Sequence, residues 1–295
     1  MQQSKQSLSL VLATGFLLAA CASSPVATMD DPPPPAAVTD APTADDALLQ
    51  TIQGSHRSAD HQARDRFRHP YETLQFFGIK PDHCVVELWP GGGWYAEILA
   101  PYLKDNGHYI AGHFYLQSNI RSAEPYLNSR RKFDQWVSST PELFGRAEVV
   151  DFQPTESVGL PDDGRVDMVL TFRNAHNWMK DGVLEQGLAA VYTALKPGGV
   201  FGVVDHRADP QAPIDPQARN GYVNQADFIE QAKAVGFRLE ASSEINANPK
   251  DTANHPNGVW TLPPRLRVPD DEDPGKYLAI GESDRMTLKF FKPAD

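Results

Sequence analysis

The chain has 295 residues, 41% hydrophobic and 22% charged, enough apolar material for one large core or two small ones. Its formal net charge of −11 argues against a nucleic-acid binder, because such proteins draw most of their affinity from basic contacts to phosphate. The densest basic cluster, Arg64, Arg66, Arg68 and His69, is interrupted by Asp60 and Asp65 and reads as a solvated helix face rather than an anion site.

In chain order, the first element is an export signal. Lys5 supplies a weak positive start, and Leu8 to Ala20 is apolar apart from Ser9, Thr14 and Gly15. The run is too short to span a bilayer comfortably. It ends in Leu18-Ala19-Ala20-Cys21, which resembles the bacterial lipobox. That resemblance implies a signal peptide over 1–20 and diacylation of Cys21, which becomes the new N-terminus. Ala22 in place of Asp points to the outer membrane, on the periplasmic side of the cell envelope. An ordinary secretory signal is the alternative, and a start at Met29 would instead give a cytoplasmic chain. With Cys21 lipidated, Cys84 has no disulfide partner and reads as a small buried hydrophobe. Residues 21–46 are rich in Pro, Ala, Thr and Asp and predict a disordered tether.

Residues 47–295 predict one domain. Ala47 to Gly78 reads as helix, with a new helix starting near His69-Pro70. Strands are expected at 85–88, 109–114, 148–151, 167–172, 200–205, 238–244 and 286–291, and helices at 95–103, 183–195 and 225–235. This alternation implies an α/β fold with a mainly parallel seven-stranded sheet and an antiparallel C-terminal edge hairpin. The polar, Pro-rich stretch 246–284 is long for a loop in a compact domain and reads as a lid over the substrate side.

The most informative segment is Val85-Val86-Glu87-Leu88-Trp89-Pro90-Gly91-Gly92-Gly93-Trp94-Tyr95: a strand, a glycine-rich turn and a helix start. Glycines let a backbone approach a ligand closely, and ligands of open α/β sheets sit at the carboxyl ends of the strands. The segment resembles the first motif of class I S-adenosylmethionine-dependent methyltransferases, with Trp89 standing where the first glycine is usual. Val149-Val150-Asp151-Phe152, Asp167 to Phe172 running into Asn174-Ala175-His176-Asn177-Trp178, and Leu195-Lys196-Pro197-Gly198-Gly199 resemble the later motifs in order. Together with Asp205-His206-Arg207-Ala208 and Asn248-Pro249, they resemble a family of bacterial predicted methyltransferases of largely unassigned substrate.

The resemblance implies a Rossmann-like methyltransferase fold and S-adenosylmethionine as cofactor. It implies cofactor contacts at Glu87, Pro90, Gly91, Gly92, Gly93 and Trp94, adenine contacts at Asp151 and Phe152, and further contacts at Arg173 and Asn174. His113 stands where the family carries the acid that grips both ribose hydroxyls, and imidazole can make only one such bond. His206 or His176, at the ends of adjacent strands, is the expected base, with Asp205 orienting His206. His113, His176 and His206 could together suggest a metal, but their spacing does not demand one and none is expected. The aromatics Trp89, Trp94, Tyr95, Phe172 and Trp178 suit a planar or apolar pocket, and the acceptor is expected to be a small molecule. The alternatives are a non-catalytic ligand-binding lipoprotein on a methyltransferase scaffold, and a nicotinamide oxidoreductase weakened by the missing ribose acid.

Overall fold

The structure is a computed structural model describing residues 43–117, 124–154 and 159–294. The signal segment, Cys21 and the tether as far as residue 42 lie outside the described residues.

Four helices open the domain: α1 (Ala44–Ile52), α2 (Ala59–Gln62), α3 (Asp65–Arg68) and α4 (Pro70–Phe77). α1 starts inside the stretch expected to be tether, because Thr43 and Asp46 cap it reciprocally, with Thr43 Oγ1 accepting from Asp46 N at 3.1 Å. The helix expected from Ala47 to Gly78 is broken three times. Its last break is His69, which takes a left-handed φ of 40° before Pro70, where helical backbone is disfavoured.

The alternating part follows: β1 (Cys84–Leu88), α5 (Ala96–Leu103), β2 (His108–His113), α6 (Glu124–Ser139), α7 (Pro141–Phe144), β3 (Glu148–Asp151), β4 (Val166–Phe172), α8 (Ala175–Lys180), α9 (Leu184–Ala194) and β5 (Leu195–His206). The chain closes with α10 (Gln225–Val235), β6 (Arg238–Ser243), a 3-10 turn at Gly258–Thr261, α11 (Pro274–Ile280) and β7 (Arg285–Phe291).

The seven strands form one sheet in the order β3-β2-β1-β4-β5-β7-β6. β1 to β5 pair in parallel, and β7 runs antiparallel to both β5 and β6. Alternate residues of each strand feed opposite faces. Val86 and Leu88 join a core with Leu188, Val191, Phe201 and Phe228, while Val85 joins another with Leu74, Leu99, Met168 and Leu170. Both faces are therefore covered, as a parallel sheet requires. Strand order reverses between β1 and β4, so a crevice opens at their carboxyl ends.

Residues 246–284 are anchored rather than loose. Asn246 is buried and donates to Thr73 and Thr287, and Asn248 Nδ2 donates to the carbonyls of Ile280 and Glu282. Among the described residues no helix is long and apolar enough to cross a membrane. Burial of Cys84 pushes its thiol up to about 11, in keeping with an inert, packed side chain.

Candidate functional site

The crevice is shaped by the turn after β1. Trp89, Gly91 and Gly93 take left-handed φ values of 46°, 60° and 80°. Gly93 is required twice over, since a Cβ there would also lie 2.3 Å from the Trp136 ring. A Cβ on Gly92 would meet nothing within 4 Å, and one on Gly91 only the Trp89 carbonyl at 4.0 Å. These two glycines therefore face open space. Asn174 braces the turn, its amide donating to the Leu88 carbonyl at 2.8 Å. Above the turn lies a cavity of about 570 Å³, within the range of small-ligand sites. A second depression, of about 680 Å³, lies beside Arg207, whose charge is already matched by Glu244 and Asp284.

Glu87 enters the cavity from β1 and accepts from the Tyr109 hydroxyl at 2.7 Å. Burial pushes its carboxyl up to about 8. The guanidinium groups of Arg57 and Arg68 both approach the Trp94 ring, 5.0 and 4.5 Å from its centroid.

Opposite the turn, β5 delivers Asp205 and His206, and α8 delivers His176. Asp205 is fully buried and accepts from His176 N at 3.2 Å and His206 N at 2.7 Å, and it pairs with His176 Nδ1 at 2.9 Å. His206 instead pairs its Nδ1 with Ser283 Oγ at 2.5 Å. Both imidazoles line the cavity, with ring centroids 5.2 Å apart. The expectation that Asp205 orients His206 is thus corrected: the side chain of Asp205 orients His176. Burial, then His176 and nearby arginines, hold His206 well below the usual histidine range, so it is neutral near pH ~7.

The three-histidine grouping considered from the sequence does not form. His113 sits at the end of β2, whereas the donor atoms of His176, Asp205 and His206 lie within 4.8 Å of one another. His113 is buried, and its Nδ1 accepts from Phe114 N at 2.8 Å. Burial pulls its ring down to about 3.

The residues expected at ribose and adenine lie apart from the cavity. The Trp89 indole donates to the Phe152 carbonyl at 3.0 Å and packs on Phe114, with ring centroids 4.7 Å apart. Asp151 is ion-paired with Arg130 at 2.7 Å. None of His113, Asp151 and Phe152 lines the cavity; at this end the Trp89 indole packs on Phe114 and Phe152. Glu87, Pro90, Gly91, Gly92, Trp94, Arg173 and Asn174 line it, whereas Gly93, set against Trp136, does not.

The expected solvated face of the basic cluster is also corrected. Arg68 is 3% exposed, and Arg64 and Arg68 both line the cavity and point their Nε atoms at Glu282. The buried acceptor that turns them inward, Glu282, lies 214 residues downstream of Arg68. Arg285, Tyr126, Ser129 and Trp260 also line the cavity and were not singled out from the sequence.

Two solved structures share this topology across most of the chain. One is a SAM dependent methyltransferase from Aquifex aeolicus, 15% identical, covering 78% of this chain and 92% of its own with a TM-score of 0.50. The other is a putative sarcosine dimethylglycine methyltransferase from Galdieria sulphuraria, 12% identical, covering 80% and 89% with a TM-score of 0.50. This is the class I methyltransferase fold. The 4+2 cyclase SpnF shares it too, at 15% identity over 86% of this chain and 98% of its own with a TM-score of 0.51, so the fold by itself does not fix a reaction.

An uncharacterized methyltransferase of Synechocystis sp. is 28% identical over 140 residues, which is 45% of this chain. The match spans about half, 52%, of that relative's length. No protein-family profile matches the chain. Within the methyltransferase fold, the glycine turn and Glu87 occupy the end of the first strand. The His176–Asp205 pair closes the ends of the fourth and fifth.

Proposed function

We propose that the protein is an S-adenosylmethionine-dependent methyltransferase acting on a small molecule, with His176 as the base. The observation that carries this reading is a carboxylate-oriented imidazole opening onto the same cavity as a glycine turn with room at Gly91 and Gly92.

The chain's fit to the cofactor is uneven. The methionine end fits: Gly91 and Gly92 leave space that a Cβ would take, and Glu87 and Trp94 border it. The nucleoside end does not fit with the Trp89 indole seated on Phe152. A contact from Phe152 would need that ring to move. When bound, the sulfonium donor would supply an electrophilic methyl group.

The protein's part is positional and acid–base. Asp205 holds His176 Nδ1, leaving Nε2 without a hydrogen-bond partner among the described residues and on the cavity side. That nitrogen can take a proton from the acceptor as it is methylated. Neutral His206, fixed by Ser283, and Asn174, fixed on the turn, shape the acceptor side. Trp260, its ring centroid 6.3 Å from that of His176, helps exclude water there. Trp260 and its neighbours at the cavity support reading residues 246–284 as a lid over the acceptor.

Export as a lipoprotein anchored at Cys21 belongs to the same proposal and rests on the Leu18-Ala19-Ala20-Cys21 run. Fractionation of cells carrying Cys21→Ala should move the protein from the membrane to the soluble fraction; unchanged membrane recovery would overturn it.

A second reading is favoured by Trp89: a ligand-binding protein in which the nucleoside seat is closed for good. Methyl-labelled S-adenosylmethionine, offered with a bacterial small-molecule extract, separates the two. The first reading expects a labelled small-molecule product, with His176→Gln lowering its rate by ~10²–10⁴ at unchanged cofactor affinity. Product formation that His176→Gln leaves intact would remove the assigned base, and no labelled product from any fraction would favour the second reading.

A further inference from the structure

Six arginines line the cavity, and four of them come from elements around its floor: Arg64 and Arg68 from the α2–α4 region, Arg173 after β4, and Arg285 at the start of β7. Arg64, Arg68 and Arg285 all converge on a single carboxylate, Glu282. Arg173 has no carboxylate partner among the described residues; only its backbone N–H is engaged, to Val204 O at 2.7 Å. Among the described residues, these four cations therefore have one carboxylate, Glu282, at ion-pair distance, and it meets three of them. Glu87, the acid that lines the cavity, is held towards its neutral form by burial.

The donors are left over as well. Arg68 Nη1 and Nη2, Arg64 Nη2 and Arg285 Nε are buried with no acceptor. Buried N–H groups without acceptors cost free energy, and buried like charges cost more. The cost shows in the side chains themselves. Burial and the neighbouring Arg285 pull Arg173 down to about 10, and burial followed by Arg173 lowers Arg68 well below its usual value. Glu282 is held far below the usual carboxylate range by Arg285, Arg68 and Arg173 against the effect of its burial. A packed core has no need of this arrangement; an anion between the guanidinium groups would satisfy it.

Position decides which anion. Arg285 is the register partner of His206 in the β5–β7 pairing, and Arg173 follows directly on Phe172 at the end of β4. Both lie on the His176–His206 side of the crevice. The nucleoside side, at β2 and β3, carries His113 and Asp151 instead.

We propose that these arginines form an oxyanion subsite for the acceptor, so that the substrate is a small molecule bearing a carboxylate or phosphate group held beside His176. The assignment of the anion to the acceptor rests on the methyltransferase reading. The anion site itself does not.

Inorganic phosphate is the probe. Added to the full-length protein, it should raise the thermal midpoint in a saturable way, and equally so with S-adenosylhomocysteine already bound. Arg173→Gln should weaken the phosphate effect ~10-fold or more while leaving the midpoint without phosphate unchanged or higher, because a like-charge repulsion has gone. Arg131→Gln, which removes an exposed charge on α6, should keep the full phosphate effect. No saturable phosphate effect, or an equal effect in Arg173→Gln, overturns the proposal. Competition between phosphate and S-adenosylhomocysteine also overturns it, by giving the arginines to the methionine carboxylate. Phosphate protection with no S-adenosylhomocysteine binding keeps the anion site and removes the methyltransferase reading.

Discussion

Glu87 and the two histidines show how environment divides chemically similar groups. Glu87 has its titration near 8, above the 4.5 of a free carboxyl, because burial disfavours its anion. A carboxyl with a raised folded pKa binds its proton more tightly in the native state. Its contribution is therefore fully present below pH ~4.5 and is lost as pH rises towards about 8, at up to ~1.4 kcal/mol per pH unit. Glu87→Gln keeps an acceptor for Tyr109 and cannot ionise. Denaturant melts at pH ~5 and ~8 should show the wild type losing stability over that window by more than the variant; parallel losses would contradict the assignment. His176 and His206 differ in partner rather than in residue type. A carboxylate orients one; the other, bonded to Ser283, is kept neutral by burial first and then by His176 and the surrounding arginines.

At the scale of elements, the turn after β1 divides its work between glycines. Gly93→Ala must place a methyl 2.3 Å from Trp136 at a φ of 80°, so it should destabilise by ~1–3 kcal/mol in denaturant unfolding. Gly92→Ala points into open space and should fold normally while weakening S-adenosylhomocysteine binding. Equal stability of the two variants would refute this division. The strands were legible because alternation and apolar runs mark them: expected and observed bounds agree within one residue for β1 to β4, β6 and β7, while β5 starts earlier, at Leu195. α6 was not legible, since its buried positions include Arg130 beside Leu127 and Phe133, which blurs the apolar stripe. The glycine turn was legible from local order, as was the nearness of His176, Asp205 and His206, but not which histidine the Asp205 side chain holds. Two features were not, because each depends on contacts far along the chain: the inward turn of Arg64 and Arg68 to Glu282, and the Trp89 indole reaching 63 residues ahead to the Phe152 carbonyl.

Over the whole molecule, the charge distribution opposes the average. A chain of net charge −11 gathers several arginines around one carboxylate in a single cavity. The overall charge argues against a nucleic-acid surface yet says nothing of such a pocket, because summed charge governs long-range fields and a local cluster governs what is held. The account's central claim is that this cavity is a donor site on a methyltransferase fold. Calorimetric titration of the full-length protein with S-adenosylhomocysteine tests it most directly. Saturable binding at one site per chain, weakened by Gly92→Ala, is the predicted result. A flat titration from folded protein would contradict it and leave Trp89 as the permanent occupant of the nucleoside seat.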